Sequence, residues 1–120
     1  MNPPPQKMTG ITSNLRKNAH MLLALFKGNH RIQRVVLKAA DDSLVQSVCE
    51  CALNVVKNDN VKVTPTQKRR LKRFMKELRK LTYSKTSKTQ KRKIIQTGGF
   101  LPAVIGPLVG LLTGVIGGLL

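Results

Sequence analysis

Apolar residues recur at helical spacing through much of the chain, and polar or glycine-containing breaks divide the pattern into segments. A period near 3.6 residues places such positions on one face of a helix. Thr12 or Ser13 is suited to cap a first helix, and Gly28 with Asn29 is suited to end it. The pattern predicts four helices, at residues 12–27, 30–39, 41–57 and 65–82.

The periodicity also predicts which side of each helix is buried. In the second helix, Ile32, Val35, Val36 and Ala39 are expected to pack. In the third helix, a wide apolar stripe is expected to be buried against its neighbours. The polar side of the third helix, expected to face water, consists of Ser43, Gln46, Ser47, Glu50, Asn54 and Lys57.

The fourth helix has the clearest start, because Thr64 can cap it and Pro65 occupies its first position. Lysine and arginine fill the circumference outside a single apolar stripe, so one side is expected to pack and the other to meet an anionic partner. That stripe consists of Leu71, Phe74, Met75, Leu78 and Leu81.

Charge is distributed unevenly along the 120 residues, which have a formal net charge of +17. Residues 61–97 contain fourteen lysines and arginines and one acid, Glu77. A run that served solubility alone would mix both signs, so the pattern favours a polyanion as partner. Aromatic residues are few, which argues against base stacking and for contacts with backbone phosphates.

The last 23 residues, 98–120, carry no charge, and glycine recurs there at every fourth position. On a helix, Gly106, Gly110, Gly114 and Gly118 would form one smooth stripe that permits close helix approach in lipid. Residues 100–120 would extend about 31 Å as a helix, but two prolines interrupt the first third. Three alternatives stay open: a membrane-active interfacial segment, a tail anchor, and a helix folded onto the domain.

The predicted architecture is all-α, a small bundle of about four helices with a basic linker and an apolar, glycine-rich helical tail. The predicted divisions are a flexible arm at residues 1–11, a helical domain at 12–83, a basic linker at 84–97 and a glycine-zipper tail at 98–120. The linker is expected to be flexible, or to form a helix when it binds.

No metal, cofactor or enzymatic activity is predicted. Cys49 and Cys51 point in nearly opposite directions on a helix, so they cannot chelate one metal ion, and His20 and His30 do not complete a zinc pattern. The sequence contains no nucleophile and base arrangement, no paired carboxylates and no phosphate-binding glycine loop.

Two sets of residues are predicted to bind partners. The nucleic-acid set consists of Lys68, Arg69, Arg70, Lys72, Arg73, Lys76, Arg79, Lys80, Lys85, Lys88, Lys91, Arg92 and Lys93. The set for membrane contact or self-association consists of Phe100, Leu101, Pro102, Gly106, Gly110, Gly114 and Gly118.

The junction between the basic run and the tail resembles a viral protein family. Lys91-Arg92-Lys93, followed by Gly98-Gly99-Phe100-Leu101-Pro102-Ala103-Val104-Ile105-Gly106-Pro107-Leu108, is similar to the junction in adenovirus mu core-protein precursors. The arrangement of the whole chain is also similar to short virion proteins of Polinton and adintovirus elements. The resemblance implies a virion core component that packs double-stranded DNA and is located in the virion and the host nucleus.

Two functional hypotheses follow. The first is a sequence-independent DNA-binding and condensing protein whose tail contacts membrane lipid or forms a homo-oligomer. The alternative is a tail-anchored membrane protein with a cytosolic N-terminus, whose basic segment binds anionic lipid and whose helical domain recruits a protein partner.

Overall fold

The computed structural model describes residues 12–57, 62–97 and 99–118. Within those ranges the regular elements are all helical, which confirms the predicted all-α class. The predicted N-terminal arm lies outside the described residues. The helices are α1 (Ser13–Lys17), α2 (Ala19–Lys27), α3 (His30–Lys38), α4 (Asp42–Lys57), α5 (Pro65–Lys72), α6 (Met75–Thr82), α7 (Lys88–Thr97), α8 (Leu101–Ile105) and α9 (Val109–Gly118), with a 3₁₀ turn at Gly106–Leu108.

The predicted first helix is divided in two at Asn18. The Thr12 hydroxyl accepts a hydrogen bond from the Leu15 N–H at 3.0 Å and caps α1. The Asn18 backbone then leaves helical geometry (φ −102°, ψ 12°), and its side-chain amide donates to the Ser43 and Ser47 hydroxyls on α4. These bonds fix the start of α2 against α4.

The orientation of α3 differs from the prediction. Ile32 and Val35 are 45% and 63% exposed, whereas Leu37 is only 6% exposed. The Gln33 side chain donates to the Leu25 carbonyl at 2.8 Å and thereby holds that edge of α3 against α2. The predicted packing side therefore faces outward along much of its length.

The longest helix, α4, packs against α1, α6, α7 and α8 and is buried over most of its circumference. Ser47, Glu50 and Asn54, expected to face water, are between 0 and 1% exposed. Their polar atoms are satisfied by hydrogen bonds: Glu50, for example, accepts from the Thr12 hydroxyl at 2.5 Å. The prediction of a wet side was wrong for these three residues because α4 is surrounded by α1, α6, α7 and α8.

The predicted fourth helix begins as expected and then breaks. Thr64 and Gln67 form a reciprocal capping box at the start of α5. The helix is interrupted at Arg73 and Phe74, and α6 follows. Three leucines of the predicted stripe are buried, while Phe74 and Met75 are partly buried. The buried three are Leu71, Leu78 and Leu81.

The segments predicted as linker and tail both pack against the preceding helices. Helix α7 occupies most of the linker, and Ile95 on it is 1% exposed. Helix α8 packs against α2, α4 and α5, and α9 packs against α1 and α2. The radius of gyration, 13.3 Å, is close to the value of about 14 Å typical of a compact chain of this length. The C-terminal residues that are 2% exposed or less are Phe100, Leu101, Val104, Ile105, Leu108 and Leu112.

Among the described residues, no single helix is long and apolar enough to cross a bilayer. Helix α7 and the segment Leu101–Gly114 satisfy the length and composition criteria only as a pair, and they are bent by 102° at the break between them.

Candidate nucleic-acid interface

Helices α5 and α6, with Arg73 between them, expose eight cations to solvent. Leu71, Leu78 and Leu81 fix the two helices to the core, so the intervening lysines and arginines point outward. We name this set the α5–α6 surface, and all eight of its members are exposed. They are Lys68, Arg69, Arg70, Lys72, Arg73, Lys76, Arg79 and Lys80.

The α5–α6 surface has little compensating negative charge. Glu77 is the acid within these two helices, and it is partly buried. Within the described ranges, none of the eight cations lies within ion-pair distance of a carboxylate. Unpaired surface cations attract a polyanion strongly, and the gain depends on the salt concentration because bound counterions are released.

Only part of the remaining basic segment is exposed. Lys85, Lys88 and Lys93 are exposed. Arg92 instead donates to the Ala40 carbonyl at 2.6 Å and to the Asp42 carboxylate at 2.9 Å, so it connects α7 to the start of α4. The structure thus shows Arg92 bonded within the protein, and its phosphate contact stays a prediction.

Lys91 is also partly buried and lines a cavity of about 200 Å³ together with Cys49 and Glu50. Burial raises the pKa of the Cys49 thiol to about 11, while the positive charge of Lys91 opposes the rise and Glu50 adds to it. Burial likewise raises the pKa of the Cys51 thiol. Both thiols are therefore protonated at neutral pH and are weak nucleophiles. No group of three potential metal ligands comes together in the described part of the chain.

A second basic surface was missed by the sequence analysis. His30, Arg34 and Lys38 of α3 line a groove that α3 forms with the end of α7. Their spacing of four residues, which puts them on one side of a helix, is the signal that could have identified them. The basic run after residue 61 is much denser and therefore dominates the charge pattern of the sequence.

The predicted membrane and self-association residues are divided by the fold. Phe100 and Leu101 are in the core, where they cannot contact lipid unless the domain opens. Pro102 and Gly106 are partly buried against α2 and α5, in a cavity lined by Phe26 and Gln67. Gly110 and Gly114 face solvent, and a Cβ added at either would meet nothing within 4 Å. Gly118 ends α9.

Comparisons of the chain with models of protein families, with curated proteins and with solved structures found no match.

Proposed function

We propose that the protein binds double-stranded DNA without sequence preference and without catalysis, through the α5–α6 surface and its extension by Lys85, Lys88 and Lys93. The observation that carries this proposal is the set of eight exposed cations that have no carboxylate partner among the described residues. Phosphate neutralisation by such a surface is largely independent of base sequence.

The aromatic residues support phosphate contact over base stacking. Phe100 is buried and packs near Phe74, with ring centroids 6.1 Å apart. Phe26 is partly buried, and Tyr83 is 56% exposed. A surface that binds single strands usually offers several exposed aromatic rings, so the side chains here are better suited to the backbone of a duplex.

The affinity for two unrelated duplexes, measured across a range of salt concentrations, tests this proposal. With about 6 to 10 phosphates contacted, the affinity should fall by about 10³ to 10⁵ between 50 and 200 mM salt, equally for both duplexes. A response that is flat with salt, or a strong preference for one duplex, would contradict it.

A matched pair of variants locates the surface. Arg69→Gln with Arg73→Gln removes two charges from the α5–α6 surface, and Arg16→Gln with Lys17→Gln removes two exposed charges from α1. Each lost phosphate contact should lower the salt slope by about 1 in the first variant only. Equal losses in both variants would indicate that total charge, rather than this surface, determines binding.

We further propose that this DNA is a viral-type genome, which the protein packs in the virion or the host nucleus. The resemblance of residues 91–108 to mu core-protein precursors is the support for this setting. Neighbouring genes for a capsid protein, a packaging ATPase or a protein-primed polymerase would support the setting, and a gene neighbourhood of another kind would argue against it.

We propose a structural role for residues 99–118, because their largest apolar side chains complete the core. The alternative of a tail anchor requires those same side chains to leave the core and enter lipid. Liposome flotation of the intact protein tests the choice, and a protein that floats with neutral liposomes would favour the anchor.

A further inference from the structure

A groove of about 580 Å³ lies between α3 and the end of α7, and we name it the α3 groove. Three of its lining residues carry basic side chains and none is acidic. Leu37 is the one large hydrophobic residue of the lining, and its side chain is buried. The lining residues are His30, Gln33, Arg34, Leu37, Lys38, Gln96, Thr97 and Gly99.

The basic side chains form a row along the groove. His30, Arg34 and Lys38 follow one another at four-residue intervals, which correspond to about 6 Å along the helix axis. All three are exposed. Gln33 fixes α3 in place through its bond to the Leu25 carbonyl, so the row is presented by a positioned helix.

The α3 groove shares no residue with the α5–α6 surface. Its lining comes from α3, from the last two residues of α7 and from Gly99. Helix α7 packs against both α3 and α6. The molecule therefore offers cations in two places, contributed by different helices.

We propose that the α3 groove is a second site for a phosphodiester backbone, through which one molecule holds a second DNA segment while the α5–α6 surface holds the first. This proposal rests on the proposed function. The lining favours phosphate over an acidic protein partner, because protein interfaces are usually centred on apolar or aromatic anchors. Here the apolar residue of the lining, Leu37, is 6% exposed.

Two measurements on the full chain test the proposal. Fluorescence anisotropy gives the affinity for one short labelled duplex, and energy transfer between a donor-labelled and an acceptor-labelled duplex reports bridging. The test variant is Arg34→Gln with Lys38→Gln, and the matched control is Arg69→Gln with Arg73→Gln. Each replaces two exposed cations by a neutral side chain of comparable polarity, and circular dichroism checks that both variants are folded.

The wild-type protein should bridge the duplexes at low salt. The α3 variant should lose bridging by about tenfold or more while its affinity for a single duplex changes by no more than about threefold. The α5 control should lose single-duplex affinity by about tenfold. Bridging by the α3 variant at the wild-type level would overturn the inference, as would a wild-type protein that binds one duplex and does not bridge two.

Two further outcomes separate the alternatives. In the first, labelled polyglutamate binds the wild type but not the α3 variant, and bound polyglutamate does not reduce bridging of the duplexes by the wild type. The groove would then bind an acidic polypeptide, and the inference would be wrong. If the wild type binds no duplex at low salt, the proposed function fails together with the inference.

Discussion

At the residue scale, buried polar side chains determine how the helices are joined. Asn18, 8% exposed, donates to the hydroxyls of Ser43 at 2.9 Å and Ser47 at 2.8 Å. Glu50 accepts from Thr12 and from Gln46, and these bonds supply partners for a carboxylate that is 1% exposed. A buried polar group without a partner would be costly, so these pairs favour one relative position of α1 and α4.

Two glycines should respond in opposite ways to the same substitution. A Cβ at Gly28 would lie 2.7 Å from the Ala24 carbonyl oxygen and 2.8 Å from Cγ2 of Ile32, whereas a Cβ at Gly110 meets open space within α9. We expect Gly28→Ala to destabilise the protein, and Gly110→Ala to stabilise it by about 0.5 to 1 kcal/mol through helix propensity. Urea unfolding of both variants measures this. If Gly110→Ala destabilises the protein, another group must contact Gly110 closely in solution.

The two cysteines should be protected from alkylation at pH 8 until the protein unfolds. Cys51 is 0% and Cys49 is 6% exposed. Iodoacetamide labelling with and without denaturant measures this protection. Fast labelling of the native protein would contradict the burial.

The buried Cys49 thiol should also make the free energy of unfolding depend on pH. Because the folded-state pKa of Cys49 is raised from 9.0 to about 11, its contribution to stability should be fully present below pH 9.0 and should be lost as the pH rises toward 11. Urea unfolding between pH 8 and 11 measures this effect.

At the element scale, a helix's own pattern does not set its partners. Helix α7 has the composition of a solvated basic segment, yet it packs against α3, α4 and α6. Ile95 provides its buried contact, and Arg92 provides its bonds to the start of α4. The two neighbouring cations therefore have different surroundings: Arg92 is bonded to the start of α4, and Lys93 is exposed.

Substitution of these neighbours separates folding from binding. Arg92→Ala should lower the free energy of unfolding by about 1 to 3 kcal/mol, because a charge-assisted bond to the Ala40 carbonyl is lost; the exposed pair with Asp42 adds little. Lys93→Ala should leave stability within about 0.5 kcal/mol of the wild type and weaken DNA binding. Urea unfolding and anisotropy measure both. The assignment is wrong if Arg92→Ala unfolds like the wild type.

At the scale of the whole molecule, the C-terminal segment completes the core. Leu101, Leu108 and Leu112 are each 0% exposed and belong to the same cluster as Leu22 and Val48. A domain that ended at residue 97 would expose these partners to water. The uncharged tail and the small helical domain therefore share one hydrophobic core.

Substitutions at adjacent positions of α9 test whether the tail and the helical domain unfold together. Leu112→Ala should lower the free energy of unfolding by about 2 to 5 kcal/mol, because it removes a buried side chain. The exposed neighbour gives the control: Thr113→Ala should change it by no more than about 0.5 kcal/mol. Deletion of residues 98–120 should remove the cooperative unfolding transition. A truncated protein that melts like the full chain would show that the tail is independent.

The sequence by itself determined the features that depend on neighbouring residues. The Thr64 and Pro65 start of α5 and the end of α2 at Gly28 follow from local backbone chemistry, and both are as predicted. The exposure of the lysines and arginines between positions 68 and 80 could also be predicted, because these residue types are seldom buried without a partner. The helical class follows from the same local signals, repeated along the chain.

Tertiary structure decided which faces are covered. Nothing in the pattern of α4 distinguishes a polar side that faces water from one that meets Thr12 and Asn18, since these two residues lie 38 and 29 positions away from their partners on α4. The burial of Leu112 and the bonds of Arg92 to Ala40 and Asp42 also depend on residues that are distant in the sequence. Burial is a property of two surfaces together, so a segment's composition gives its tendency to be buried, and the contact with a distant segment gives the outcome.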